Sequence, residues 1–126
     1  MKTKLRKLTV GDQPYVYWHV GGSRLTLNIS PKEDKTTKIT LIFEADPPDE
    51  ERHTFWAFYD ISAHKNNLHT TIHLGKPKHI AEIIHYLQNE QQELWLKGKQ
   101  NTIDNAWELL QAMGYSDMEP IWIEQW

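Results

Sequence analysis

The sequence predicts a single α+β domain over residues 1–126. In it, an antiparallel β-sheet of about five to six strands forms a meander, and two C-terminal helices pack on one face of that sheet. Three observations support this fold class. Segments with alternating apolar residues fill the first half of the chain, turn residues separate them, and apolar residues with helical spacing follow Pro77.

The segment 54–61, with the sequence TFWAFYDI, predicts the central strand of the sheet. A strand with one wet face alternates apolar and polar residues, but here both faces carry large apolar side chains, with Trp56 and Phe58 on the even-numbered face. We therefore expect cover on each side of this strand. Asp60 has the same parity, and we expect it at the strand end, in water.

A hairpin is predicted where residues 15–20 and 23–29 flank Gly21 and Gly22. A Gly-Gly pair fits a two-residue turn with positive φ, and such a turn fixes the register of its strands. Val16 would then oppose Leu27 and face the core. The same register places a polar and aromatic set on the outer face: Tyr15, Tyr17, His19, Arg24, Thr26 and Asn28.

Further elements follow from local patterns. Strands are predicted at 3–10, at 38–45 and at 68–74, the first of them at a sheet edge. A helix begins at Pro77 with an apolar stripe at 80, 83, 84 and 87. Residues 93–97 either continue this helix, which we favour, or form a short extended piece. Asn101 or Thr102 would cap a second helix that ends at Gly114, before a final strand or tail at 121–126.

The composition excludes several classes of function. The chain has no cysteine, which excludes disulfides, thiolate metal sites and a cysteine nucleophile, and suits a cytoplasmic location. No apolar run approaches the ~18 residues of a membrane span. The basic N-terminal residues are not followed by the apolar region of a secretory signal. We therefore expect no membrane association.

Charge is distributed unevenly along the chain. Residues 1–78 contain 12 Lys and Arg against 9 Asp and Glu, a balance of +3, whereas residues 79–126 contain 2 against 8, a balance of −6. This asymmetry can orient a partner or favour head-to-tail association. The net charge of −3 argues against nucleic acid as the partner.

The sequence predicts no cofactor and no metal site. Seven histidines are present, but His69 and His73 are four residues apart on one strand, about 13 Å, which is too far for one ion to bridge. There is no nucleophile elbow, and Gly75-Lys76-Pro77 lacks the glycine spacing of a phosphate loop. The sequence therefore favours a protein without catalytic activity.

The candidate functional feature is the outer sheet face. Aromatic residues mixed with arginine and histidine are typical of recognition surfaces, and large aromatic residues seldom stay bare in a monomer. We expect an adaptor-like or immunity-like interaction module that binds a protein partner or a second copy of itself as a homodimer. An alternative is a small-ligand-binding or metal-binding domain, or an enzyme, that uses His19, Arg24, His69 and His73. The predicted partner-binding residues are Tyr15, Tyr17, His19, Arg24, Trp56, Phe58, His69 and His73.

Overall fold

The structure is a computed structural model that describes residues 5–21, 24–45, 54–95 and 97–124. These residues form strands, two α-helices and one 3-10 helix. In chain order they are β1 (Arg6–Val10), β2 (Gln13–Val20), β3 (Arg24–Pro31), β4 (Lys38–Glu44), β5 (Thr54–Lys65), β6 (Leu68–His73), α1 (Pro77–Glu90), the 3-10 helix (Gln92–Trp95), β7 (Gln100–Ile103), α2 (Ala106–Ala112) and β8 (Tyr115–Glu124).

The first sheet contains five strands in the order β1-β2-β3-β4-β7. Strands β1 to β4 are antiparallel neighbours in chain order, and β7 then joins β4 in parallel. A parallel neighbour requires a long crossover, which the chain makes through β5, β6 and α1. The first half of this sheet agrees with the predicted succession of antiparallel strands.

The second sheet contains three antiparallel strands in the order β6-β5-β8. Residues 54–61 lie in its middle strand, so the predicted central position is confirmed, although in a separate sheet. The mixed α and β composition and the antiparallel sheet are confirmed as well. The expected sheet of about five to six strands is found in part: one sheet has five strands, and the described residues form three further strands in a second sheet.

One core is shared by both sheets and both helices. The first sheet contributes fully buried residues such as Tyr17 and Phe43, the second contributes Ile61 and Ile72, and α1 contributes Ile83. Burial of this apolar surface is the main force that holds the layers together. Within the described ranges, no helix combines the length and apolar character needed to cross a bilayer.

The β2–β3 hairpin corrects the predicted register. Tyr17 pairs with Ile29 and His19 with Leu27, a shift of three residues from the expected pairing. An odd shift exchanges the two faces of a strand, so Tyr15 and Tyr17 point into the core. Both faces of β2 are apolar enough to be buried, so the choice between them depends on contacts with other segments, such as the approach of Tyr59 to Gly21.

Gly21 does not serve the predicted turn. A two-residue primed turn with Gly21 at its first position requires a positive φ there, and Gly21 has none. Instead, a Cβ atom at Gly21 would lie 2.7 Å from the hydroxyl oxygen of Tyr59, so glycine permits the close approach of β5 to the end of β2. A two-residue turn with positive φ at both positions occurs in the β5–β6 hairpin, where Asn66 and Asn67 have φ of 55° and 64° and Lys65 pairs with Leu68.

The helices agree with their apolar stripes and differ at their ends. Helix α1 begins at Pro77 and buries the predicted stripe, but it ends at Glu90, and residues 92–95 form the 3-10 helix. Residues 100–103, where the second helix was expected to begin, pair with β4. The N-cap residue of α2 is therefore Asn105, and Gly114, with φ of 105°, follows its end as expected.

Candidate functional site

A cleft of about 420 Å³ lies where the two sheets meet the start of α1. We call it the bulge cleft, because an irregular segment of β5 forms one wall. The other walls come from the first residue of β1, the end of β2 and the turn between β6 and α1. Its lining residues are Arg6, His19, Phe58, Tyr59, Asp60, Gly75 and Lys76.

The backbone of β5 is strained at this cleft. Phe58 and Tyr59 both have left-handed conformations, with φ of 52° and 57°, and the pairing of β5 with β8 shifts register between Trp56 and Ile61. Such a conformation costs bulky residues about 1–3 kcal/mol each and persists only where surrounding contacts support it. The bulge turns Phe58 outward, with 77% of its surface exposed, so the expected cover over this side of β5 is absent at Phe58.

Several contacts hold the bulge in place. The indole Nε1–H of Trp56 donates to the Asp60 carbonyl at 2.7 Å, and the backbone N–H of Leu74 donates to the Tyr59 carbonyl at 3.3 Å. A Cβ atom at Gly75 would lie 2.8 Å from the Phe58 carbonyl oxygen, so the turn after β6 is packed directly against the bulge. These contacts fix the backbone on both sides of Phe58 and leave its ring in solvent.

His19 forms the back of the cleft. Its ring stacks on Tyr59 with 5.4 Å between centroids and 14° between planes. Its Nε2–H donates to the Leu74 carbonyl at 2.6 Å, which assigns the proton of the neutral ring to Nε2. Burial lowers the pKa of His19, partly opposed by this hydrogen bond, and the charge of Arg6 lowers the pKa further. His19 is therefore a neutral imidazole at neutral pH.

Asp60 lines the cleft and is bound to a histidine on the neighbouring strand. Its Oδ1 lies 2.8 Å from Nδ1 of His73, the residue that pairs with it across β5 and β6. The backbone N–H of His73 donates to Nδ1 of His79 at 3.0 Å, and burial lowers the pKa of His79. Asp60 thus lies within the sheet with an imidazole partner, and the expectation that it ends a strand in water is wrong.

Two cations border the cleft. The guanidinium of Arg6 donates through Nη1 to the Gly75 carbonyl at 3.3 Å, which uses one of its five N–H groups. Lys76 is exposed and immediately precedes α1. Among the described residues, no carboxylate forms an ion pair with either cation. The cleft therefore combines an exposed aromatic ring with two cationic side chains that no carboxylate of the described residues neutralises.

The structure divides the predicted site residues into three groups. His19 and Phe58 line the bulge cleft, whereas Trp56 and His73 lie directly behind it. Arg24 pairs with Glu44 at 3.6 Å, His69 contacts Ser62 at 2.9 Å, and neither lines the cleft.

Tyr15 and Tyr17 are the third group, and their predicted place on an open face is wrong. They are only 3% and 2% exposed, because the register shift turns them into the core. The hydroxyl of Tyr15 accepts a hydrogen bond from Gln88 of α1, and its ring lies against Trp95 at 5.2 Å. The face of β2 that was expected to be open thus lies in the core, where it meets α1 at Tyr15 and the second sheet at His19.

Sequence reasoning missed most of the cleft. Arg6, Tyr59, Gly75 and Lys76 come from three distant segments and share no motif. Of the lining residues that the sequence analysis did not assign to a site, only Asp60 gave a usable signal, because a carboxylate in a largely apolar strand requires a partner if it is buried. Pairing β5 with β6 in the correct register identifies that partner as His73.

The described residues contain no group of three or more histidine and acidic side chains placed to hold a metal ion. Comparisons of the chain with protein-family models, with curated proteins and with solved structures returned no match. The function must therefore be argued from the cleft itself.

Proposed function

We propose that this protein is an interaction module that binds a partner protein through the bulge cleft. The observation that carries this proposal is the position of Phe58, which is 77% exposed at the centre of a strained and well-supported bulge. The sequence predicts this recognition surface on one face of β2. We place it instead at the junction of the two sheets.

The bulge strains the backbone of β5 and exposes the Phe58 ring. A regular strand would avoid two left-handed aromatic residues and would bring the β5–β8 pairing into register. The fold instead retains the strain and supports it with the Trp56 and Leu74 hydrogen bonds. The strain yields no apolar burial for Phe58 in the isolated chain. It does hold the backbone that presents an exposed aromatic side chain at the edge of a cleft, and aromatic side chains that insert into pockets supply much of the binding energy at interfaces.

The alternative site made of His19, Arg24, His69 and His73 is not favoured. Arg24 and His69 are engaged with Glu44 and Ser62, away from the cleft, so the four side chains do not converge. Self-association remains one form of the proposal, with a second copy as the partner. The cytoplasmic location, suggested by the cysteine-free sequence, also remains a prediction.

Site-specific photo-crosslinking tests the proposal. Phe58 is replaced by the photoreactive p-benzoylphenylalanine, and Leu68, which is 71% exposed at the tip of the β5–β6 hairpin, receives the same replacement as a matched control. In the cells from which the protein comes, we expect a defined adduct from position 58 and none from position 68. A covalent dimer would identify a second copy as the partner. Equal adducts from both positions, or none from position 58, would contradict the proposal.

A further inference from the structure

The charges around the bulge cleft indicate which partner it fits. Arg6 and Lys76 lie on the cleft wall and have no carboxylate partner among the described residues. The single carboxylate of the lining, Asp60, is held by His73. The cleft therefore carries an excess of positive charge, although the whole chain has a net charge of −3.

We propose that the bulge cleft binds an acidic segment of the partner, in which a carboxylate contacts Arg6 and Lys76 and a neighbouring apolar side chain packs on Phe58. This inference rests on the proposed function, because it uses the same cleft and assigns the chemistry of its occupant. It names Arg6 and Lys76 as the residues that determine specificity.

Arg6 is positioned for this role by its backbone contact. One N–H group of the guanidinium donates to the Gly75 carbonyl, which orients its planar array of donors, and the other N–H groups make no further hydrogen bond within the described part of the chain. Arginine in this arrangement can bind a carboxylate with two parallel hydrogen bonds, which are stronger than hydrogen bonds between neutral groups. Lys76 adds a second charge from the adjacent turn.

His19 and Asp60 do not oppose this assignment. Burial keeps His19 neutral, and its N–H group is already donated to the Leu74 carbonyl, so it neither competes for the carboxylate nor repels the cations. Asp60 is the single carboxyl group of the lining, and its Oδ1 is bound to Nδ1 of His73 on β6. A carboxylate that enters beside Phe58 meets Arg6 and Lys76, whereas a cationic ligand would meet their repulsion.

Two small peptides that differ only in charge test the inference. The probes are N-acetyl-aspartyl-phenylalanine amide and its neutral match, N-acetyl-asparaginyl-phenylalanine amide. Binding is followed by nuclear magnetic resonance through the ring signals of His19 and Tyr59. We expect the aspartyl peptide to bind with a dissociation constant of about 1 mM, and the asparaginyl peptide to bind about tenfold more weakly. Added salt should weaken only the aspartyl peptide.

Charge variants supply the controls. Arg6→Gln together with Lys76→Gln should remove the tenfold preference, whereas Lys78→Gln, which removes an exposed cation outside the cleft, should preserve it. Thermal unfolding of each variant establishes that it is folded. Inorganic phosphate is added as a competitor, and displacement of the aspartyl peptide by much lower concentrations of phosphate would overturn the inference in favour of a phosphate site.

The remaining outcomes separate this inference from the proposed function. If both peptides bind equally and Phe58→Ala weakens both, the cleft is a recognition site without preference for acidic segments, and only the inference fails. If neither peptide shifts the His19 and Tyr59 signals at millimolar concentrations, the inference is overturned, whereas the crosslinking experiment at position 58 still decides the proposed function.

Discussion

The two sheets of this protein differ in how regularly their strands pair. In the five-stranded sheet, the strands pair without interruption, and core residues such as Leu27, Leu41 and Phe43 are wholly buried. In the three-stranded sheet, the β5–β8 pairing shifts register twice, and Phe58 and Leu68 are exposed. Regular pairing maximises burial, whereas the irregular pairing directs an aromatic ring away from the core. Both sheets contribute to the common core, but only the irregular sheet exposes an aromatic ring at the bulge cleft.

The largest expected effect concerns the regular sheet. Phe43→Ala should lower the free energy of unfolding by about 3–5 kcal/mol, because it leaves a cavity in a fully buried position and removes the edge-to-face contact with Trp107. Urea denaturation followed by circular dichroism measures this loss. A loss under about 1 kcal/mol would mean that the two sheets differ less in packing than the burial of Phe43 indicates.

Gly75→Ala addresses the contact between the turn and the bulge. The added Cβ atom would meet the Phe58 carbonyl oxygen at 2.8 Å, so the bulge must shift, and we expect a loss of about 1–3 kcal/mol in the free energy of unfolding. The φ of Gly75 lies outside the left-handed region, so backbone strain does not confuse the result. Lys76→Ala, one residue further, is the control and should change stability by less than about 0.5 kcal/mol.

Trp56→Phe removes one of the hydrogen bonds that hold the bulge. The Asp60 carbonyl loses its 2.7 Å partner, and we expect a loss of about 1 kcal/mol in the free energy of unfolding together with weaker binding of the aspartyl peptide. Trp95→Phe is the control, because the Trp95 ring lies against Tyr15, with 5.2 Å between centroids, and does not line the cleft. Equal effects of both variants on peptide binding would show that the bulge does not depend on Trp56.

The two buried histidines should make unfolding depend on pH. Burial lowers the pKa values of His19 and His79 below the unfolded value of about 6.5, so the unfolded chain takes up protons that the folded chain does not. Their stabilising contribution is therefore present above that value and is lost as the pH falls below it. Protonation of His79 would also break its hydrogen bond from the His73 backbone.

Chemical denaturation as a function of pH measures this decline. His79→Gln should reduce the decline between neutral and mildly acidic pH, whereas His85→Gln, a substitution at an exposed position of the same helix, should leave it unchanged. An identical pH profile for His79→Gln and the unaltered protein would be inconsistent with a buried neutral imidazole at this position.

Phe58→Ala should have the smallest effect on stability. Because its ring is mostly in solvent, we expect a change of less than about 0.5 kcal/mol in the free energy of unfolding, in contrast to Phe43→Ala. The same variant should weaken binding of the aspartyl peptide severalfold. Destabilisation by about 2 kcal/mol or more would mean that Phe58 supports the fold. The contrast between the buried Phe43 and the exposed Phe58 would then be contradicted.

Periodicity predicted the helical core stripe and failed for β2. The apolar residues Ile80, Ile83, Ile84 and Leu87 lie on one side of α1 and are buried as expected, because no alternative face of that helix is apolar. Strand β2 has Val16 on one face and Tyr17 on the other; both are buried, and the register decides that Tyr17 joins the core shared by the two sheets. That register depends on how Gly21 accommodates Tyr59 from another sheet, which a local pattern does not contain.

The bulge was also beyond local prediction. The sequence around Phe58 contains no glycine or asparagine, the residues that most readily adopt positive φ, so it reads as a regular strand. The left-handed conformation of Phe58 and Tyr59 is supported by contacts with Leu74 and Gly75 and by the hydrogen bond from Trp56 to the Asp60 carbonyl. Likewise, residues 100–103 become a strand because β4 offers an edge, not because of their own composition.

Residue spacing along the chain predicts the classes of element, the apolar stripe of α1, the central place of β5 in a sheet and the uneven charge, because these depend on residues that are near one another in the chain. Contacts between distant segments set the number of sheets, the face of β2 that joins the shared core, and the meeting of Arg6, Phe58 and Lys76 at one cleft. The physical reason is that strand register and backbone strain depend on contacts between distant segments, which local periodicity does not specify.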